Sequence, residues 1–107
     1  MAERDFVRGV EAQRAGKLNE AMQAYRAATQ ADSAYFEAHY NLGYVMLERG
    51  HAARAVPYFQ RAIQADPKFS DAHFNLAMAL ESMSESGRAK THWRRYLELE
   101  PSGPSSR

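Results

Sequence analysis

The chain has 107 residues, 45% apolar and 25% charged, with a formal net charge of +1, a balance that fits one soluble globular domain with a modest core. So small a net charge recruits neither nucleic acid nor an anionic membrane, and the lack of cysteine excludes disulfide staples, thiolate zinc sites and a cysteine nucleophile. Residues 1–10 are charged from Glu3 onward without an apolar signal-peptide core, and no apolar run nears the about 20 residues that span a bilayer; the expectation is a soluble, cytoplasmic chain with no membrane association.

The first stretch, residues 2–35, carries Gly9, then Gly16, then Ala21, Tyr25 and Ala28 at helical spacing. The second, 36–69, opens with EAHYNLG. It sets Leu42, Gly43 and Met46 on one helix face, then places Ala55, Val56, Phe59, Ala62 and Ile63 on another after Gly50. Pro57 falls near the start of that second helix, where its missing amide matters least and a slight kink is expected; Pro67 ends it. The third, 70–103, opens with DAHFNLA and continues through Ala89, Trp93 and Tyr96 to Pro101. A shift of 34 residues superposes all three. Gly16, Gly50 and Ser84 coincide, as do Ala21, Ala55 and Ala89, and Tyr25, Phe59 and Trp93. Each unit therefore predicts a helix of roughly 13 residues, a short turn closed by a left-handed residue, and a second helix of similar length. No alternating β-branched run predicts a strand. Residues 104–107 are Pro- and Ser-rich and expected to be a disordered tail.

Three helix–turn–helix units at this period resemble the tetratricopeptide repeat family. The second carries the resemblance best, through Leu42-Gly43, Met46, Gly50, Ala55, Phe59, Ala62 and Asp66-Pro67. The third matches at Leu76-Ala77, Leu80, Ala89, Trp93 and Pro101. The first has Gly9, Ala21, Tyr25 and Ala28, with the polar Asp5 and Arg8 where core residues are usual. The resemblance implies an all-α fold, an alpha-alpha superhelix (solenoid) over residues 1–103 in which the pairs bury one another's faces. It also implies that the first helix of each pair lines a concave groove.

On that basis the groove carries three ladders: Phe6, Tyr40 and Phe74; Val10, Tyr44 and Met78; Val7, Asn41 and Asn75. Glu3, Glu37 and Asp71 run along its edge, with Glu48 and Glu81 near the far ends. An aromatic and apolar trough with acidic margins suits an extended peptide or a partner helix carrying Lys or Arg, and asparagine amides can pair with its backbone. Members of the family that hold a chaperone's C-terminal carboxylate use a basic clamp whose positions fall here on Phe6, Val10, Asn41, Asp71 and Asn75. Only Asn41 matches, and Asp71 would repel the carboxylate.

The expected function is a non-enzymatic protein–protein interaction module. A second reading is a self-assembling scaffold through the terminal helix, where Trp93, Tyr96, Leu97 and Leu99 are candidates and Tyr96 leaves little room for a further helix. A third is RNA binding through Arg88, Arg94 and Arg95, which the nearby Glu98 and Glu100 oppose. No phosphate loop, HExxH or nucleophile elbow is present, so neither catalysis nor a cofactor is expected. His39 and His73 repeat on neighbouring first helices, but two imidazoles make a poor zinc site and packing is the expected role; His51 and His92 are read as isolated.

Overall fold

The computed structural model describes residues 1–100, and these form six helices. They are α1 Ala2–Arg14, α2 Leu18–Ala31, α3 Phe36–Glu48, α4 Ala52–Ala65, α5 Ser70–Ser82 and α6 Ser86–Leu99. Each first helix of a pair has 13 residues and each second helix 14. No strand occurs among the described residues. The expected tail, 104–107, lies outside them.

The turn within each pair is one motif used three times. Gly16, Gly50 and Ser84 hold φ of 76°, 81° and 62°, the left-handed region that only glycine enters freely. The next residue then donates its amide back across the helix end: Lys17 to Ala12, His51 to Met46 and Glu85 to Leu80, at 2.8–2.9 Å. These bonds satisfy carbonyls that a helix C-terminus leaves open. The turns between pairs also repeat. The Asp32 carboxylate accepts from the Ala34 amide at 3.0 Å, and the Asp66 carboxylate from the Lys68 amide at 3.2 Å. Aspartate at these places caps the turn with its own side chain. Helix α4 runs unbroken through Pro57, which is exposed.

Consecutive helices pack in chain order, so the second helix of one pair lies against the first of the next, and α3 also touches α5. The seats for this packing are glycines. A Cβ on Gly9 would sit 2.4 Å from the Tyr25 ring, and one on Gly43 would sit 3.0 Å from the Phe59 ring. Both rings are fully buried. In the third pair Ala77 fills the equivalent seat, and Trp93 stays half-buried. The remaining core consists of Leu42, Val45 and Met46 on α3, Leu76 and Leu80 on α5, and small residues such as Ala21, Ala55 and Ala89 that let helices approach closely. On α1, Asp5 and Arg8 pair with one another at 2.9 Å.

Among the described residues, no helix is long and apolar enough to cross a membrane.

Candidate functional site

Four of the ladder residues, Val10, Tyr40, Asn41 and Tyr44, meet between α1 and α3. An open cleft of about 440 Å³ lies between α1 and α3, lined by Val10, Gln13, Arg14, Tyr40, Asn41, Tyr44 and Glu48. Tyr40 and Tyr44 stack there, with ring centroids 6.4 Å apart and planes within 14°. Tyr40 is held from behind by Phe69 at 4.7 Å and Phe59 at 5.8 Å. Phe6 is similarly backed by Tyr35 at 5.1 Å and Tyr25 at 5.8 Å. These aromatics are thus positioned by ring packing rather than left free.

Exposure divides the ladders. Val7, Tyr44 and Met78 are 50%, 39% and 43% exposed, although all three are large and apolar. Val10, Phe6, Tyr40 and Phe74 are half-buried. Glu3, Glu37 and Asp71 are exposed along the edge, as are Glu48 and Glu81. Gln13 and Arg14 also reach the cleft, which the repeat register alone does not indicate because neither belongs to a ladder of similar residues. Arg14 adds one positive charge to a surface otherwise bordered by carboxylates.

The two asparagines, alike in sequence, are not alike in place. Asn41 is half-buried in the cleft and donates a long 3.4 Å bond to the Tyr25 hydroxyl. That hydroxyl donates to Gln13 at 2.6 Å, and the Gln13 amide donates to Glu48 at 3.3 Å. Asn75 is buried, against the expectation that it faces the groove. Its amide donates to the Tyr40 hydroxyl at 2.6 Å and to the Asp71 carbonyl at 3.1 Å. Both protons of the amide are spent, and the residue braces α5 against α3. The Tyr40 hydroxyl accepts in this bond, so its own proton remains to be donated. Burial, with the Asp71 charge nearby, pushes the Tyr40 phenol up to about 12, so it stays a neutral donor.

At the other end Phe74 is packed edge-on by Trp93 at 5.0 Å and Tyr96 at 5.2 Å. Tyr96 is thereby buried, which corrects its reading as part of an open self-association surface. Leu97 remains 57% exposed, and Leu99 is half-buried.

The histidines pair differently from their expected arrangement. His39 and His73 are both buried, and each bonds through Nε2 to a backbone carbonyl six residues earlier: Ser33 at 2.9 Å and Pro67 at 3.1 Å. His73 does not meet His39. It meets His92, with the two Nδ1 atoms 3.2 Å apart. The register contained this signal, since His92 occupies the place that Tyr58 holds in the second unit, and Tyr58 stacks on His39. The ring centroids of His73 and His92 are 5.5 Å apart. Most of that separation is the N···N gap itself, so the two nitrogens face one another nearly head-on. This is the geometry of one shared proton; two lone pairs converging on a metal ion would tilt the rings together. No group of three or more potential metal ligands occurs among the described residues.

Three stacked helix pairs, with an aromatic of each second helix seated over a small residue of the first, define a helical-repeat solenoid. Family models agree along the sequence. One described as TPR repeat matches residues 14–50, and two described as tetratricopeptide repeat match 36–69 and 58–91. The chain belongs to the tetratricopeptide repeat family.

A comparison with curated proteins finds no match. Among solved structures, MamA is similar at 23% identity and a TM-score of 0.90 over 97% of this chain, which spans 61% of the MamA chain. The first TPR of Spaghetti (RPAP3), bound to an HSP90 peptide, is similar at 22% identity and a TM-score of 0.90, covering 98% of this chain and 85% of that one. A Thermobaculum terrenum O-GlcNAc transferase is similar at 27% identity and a TM-score of 0.85, over 95% of this chain but 20% of that one.

Proposed function

We propose that this chain is a non-enzymatic, cytoplasmic protein–protein interaction module of three repeats (2–35, 36–69 and 70–103), and that its concave face takes an extended peptide or a partner helix. The observation that carries this reading is the exposure of Val7, Tyr44 and Met78 on successive first helices, with Tyr44 lining an open cleft. Large apolar side chains left bare on neighbouring helices cost solvation free energy unless a partner covers them. Their rigid aromatic neighbours supply contact area with little side-chain entropy to lose on binding. Asn41, with one weak bond, can turn its amide toward a peptide backbone; Tyr40 offers a hydroxyl proton.

The exposed carboxylates of Glu3, Glu37, Asp71 and Glu48 favour a ligand carrying Lys or Arg. A similar structure, the RPAP3 repeat, is bound to a peptide of sequence SRMEEVD. This chain presents Asp71 and Glu37 along its groove instead of a basic clamp, which favours a ligand of opposite sign.

The test is capture from a library of extended peptides, half rich in lysine and arginine and half in glutamate. Wild-type protein should retain the basic half, and Tyr44→Ala combined with Met78→Ala should release it without lowering the melting temperature. Both residues are exposed, so the fold does not depend on them. Retention by the double variant would remove the groove from the reading.

A second reading, self-association through α6, rests on Leu97, the one exposed large apolar side chain of that helix. Light scattering across a concentration series tests it: wild-type would associate with rising concentration and Leu97→Ser would not. A monomer throughout excludes it.

A further inference from the structure

On the side of α5 remote from the Tyr40–Tyr44 cleft lies a second hollow, of about 420 Å³, between the end of α4, the start of α5 and the length of α6. Its lining is Ile63 and Pro67 on one flank, His73 beneath, and Thr91, His92, Arg94, Arg95 and Glu98 from α6. Nothing in the groove reading uses these residues.

The proton positions in the hollow follow from its hydrogen bonds. The Pro67 carbonyl can only accept, so Nε2 of His73 carries a hydrogen. Neutral His73 then has a lone pair at Nδ1, and the proton between the rings comes from Nδ1 of His92. That leaves the lone pair of the pair at Nε2 of His92. One further proton can be added there without breaking any bond. A second would have to enter between the two Nδ1 atoms and would drive the rings apart. The His73–His92 pair therefore takes up one proton, at His92.

The surroundings set what favours that proton. Burial lowers the proton affinity of His92 below the ordinary histidine value of 6.5, assisted by His73 and by the Arg88 charge. Burial also lowers that of His73, assisted by Arg95. On α6 itself, Arg95 is paired to Glu98 at 3.0 Å, whereas Arg94 has no ion-pair partner among the described residues. From α4 and the turn after it come Ile63 and Pro67, which do not titrate. The hollow thus holds an unpaired guanidinium and a proton-accepting ring beside an apolar flank, and its one carboxylate, Glu98, is already held by Arg95.

We propose that this hollow is a second docking site, taking a glutamate or aspartate side chain of a partner protein's acidic segment, with one proton bound at His92 on docking. The carboxylate would lie between Arg94 and Nε2–H of His92, and the aliphatic part of the segment against Ile63 and Pro67. Binding of anion and proton are then reciprocal: each raises the affinity for the other. RNA fits the hollow less well. Trp93 and Tyr96 are packed on Phe74 and cannot serve as stacking platforms.

The test uses the full chain and a labelled peptide of alternating glutamate and leucine, acetylated and amidated so that it has no terminal charges. Anisotropy titrations at about pH 7.5 and about pH 5.5 keep its carboxylates ionised while spanning the histidine range. The expected result is at least about fivefold tighter binding at the lower pH, an upward shift of the His92 titration on saturation, and about tenfold weaker binding by Arg94→Ala. His92→Gln should remove the pH dependence. Should that variant not fold, the wild-type His92 titration with and without peptide decides the same point. Tyr44→Ala should bind the acidic peptide normally, so failure of the groove reading and of this one are separable. Equal binding of a lysine–leucine peptide overturns the proposal. So do an unmoved His92 titration, binding that requires a free terminal carboxylate, and retention of a uridine oligomer without retention of the peptide.

Discussion

The seams between successive repeats solve the same problem with the hydroxyl group moved. At the first seam Asn41 reaches Tyr25, on the second helix of the preceding pair; at the second seam Asn75 reaches Tyr40, on the first helix. The repeat equivalents of these tyrosines are Phe59 and Phe6. Each of the first two pairs therefore has one phenylalanine and one tyrosine in contact at 5.8 Å, in opposite order. The consequence is large. With the hydroxyl on α2, the bond to Asn41 is long and the asparagine stays partly open. With the hydroxyl on α3, Asn75 is drawn under Tyr40 and buried. One repeated residue becomes a candidate ligand contact at one seam and a structural brace at the other. The third pair, with Phe74 and Trp93, has no hydroxyl at either place and no described helix beyond it to receive one.

The largest effect that would break this comparison is loss of the ring itself. Phe59→Ala should destabilise the protein by about 3–5 kcal/mol in denaturant unfolding, since the ring is fully buried in the core. An unchanged midpoint would show that the seams are not held by these rings. Next come the glycine seats. Gly9→Ala forces a Cβ to 2.4 Å from the buried, hydrogen-bonded Tyr25 and should cost about 1–3 kcal/mol. Gly43→Ala meets Phe59 at 3.0 Å, where a small ring shift suffices, and the better helix propensity of alanine offsets much of it. Equal losses would mean that the two seats are equally tight.

The asparagines give a sharper contrast. Asn75→Ala should cost about 1–3 kcal/mol by leaving the buried seam unbridged, whereas Asn41→Ala should cost under about 1 kcal/mol and instead weaken peptide capture. Reversal of that order in thermal melts would contradict the assignment. A smaller effect is expected from pH. The folded-state affinities of His73 and His92 for protons lie below the ordinary value of 6.5, chiefly through burial. The unfolded chain therefore binds more protons below that pH, so this contribution is complete above about pH 6.5 and is lost as pH falls through the folded-state range. Urea midpoints should drop on acidification, less so in His92→Gln. The smallest expected effect is a gain. Ser84→Gly should add about 0.5–1 kcal/mol, because Ser84 holds the left-handed turn that glycine holds in the other two pairs.

Much of this molecule is legible along the chain. The recurrence of Gly16, Gly50 and Ser84, and of Tyr25, Phe59 and Trp93, indicates the helix pairs, their turns and their stacking, because each depends on local spacing and on residues that meet their own repeat neighbours. The ladders of the groove follow from the same register. What was not legible depends on contacts across non-equivalent positions. Asn41 and Asn75 read alike, and only the placement of a tyrosine on α2 or α3 separates them. His92 reads as isolated because its repeat equivalent is Tyr58, a different residue type, although the register sets the two against His73 and His39 alike. Tyr96 reads as an open end until Phe74 lies beneath it.

The sequence by itself determined the period, the helices and the family, since these are set by backbone conformation and by the size of side chains at regular intervals. Tertiary structure alone decided which copies of a repeated residue are left exposed. Exposure and hydrogen bonding depend on the neighbours that packing brings across each seam, and those neighbours are the part of the chain that does not repeat.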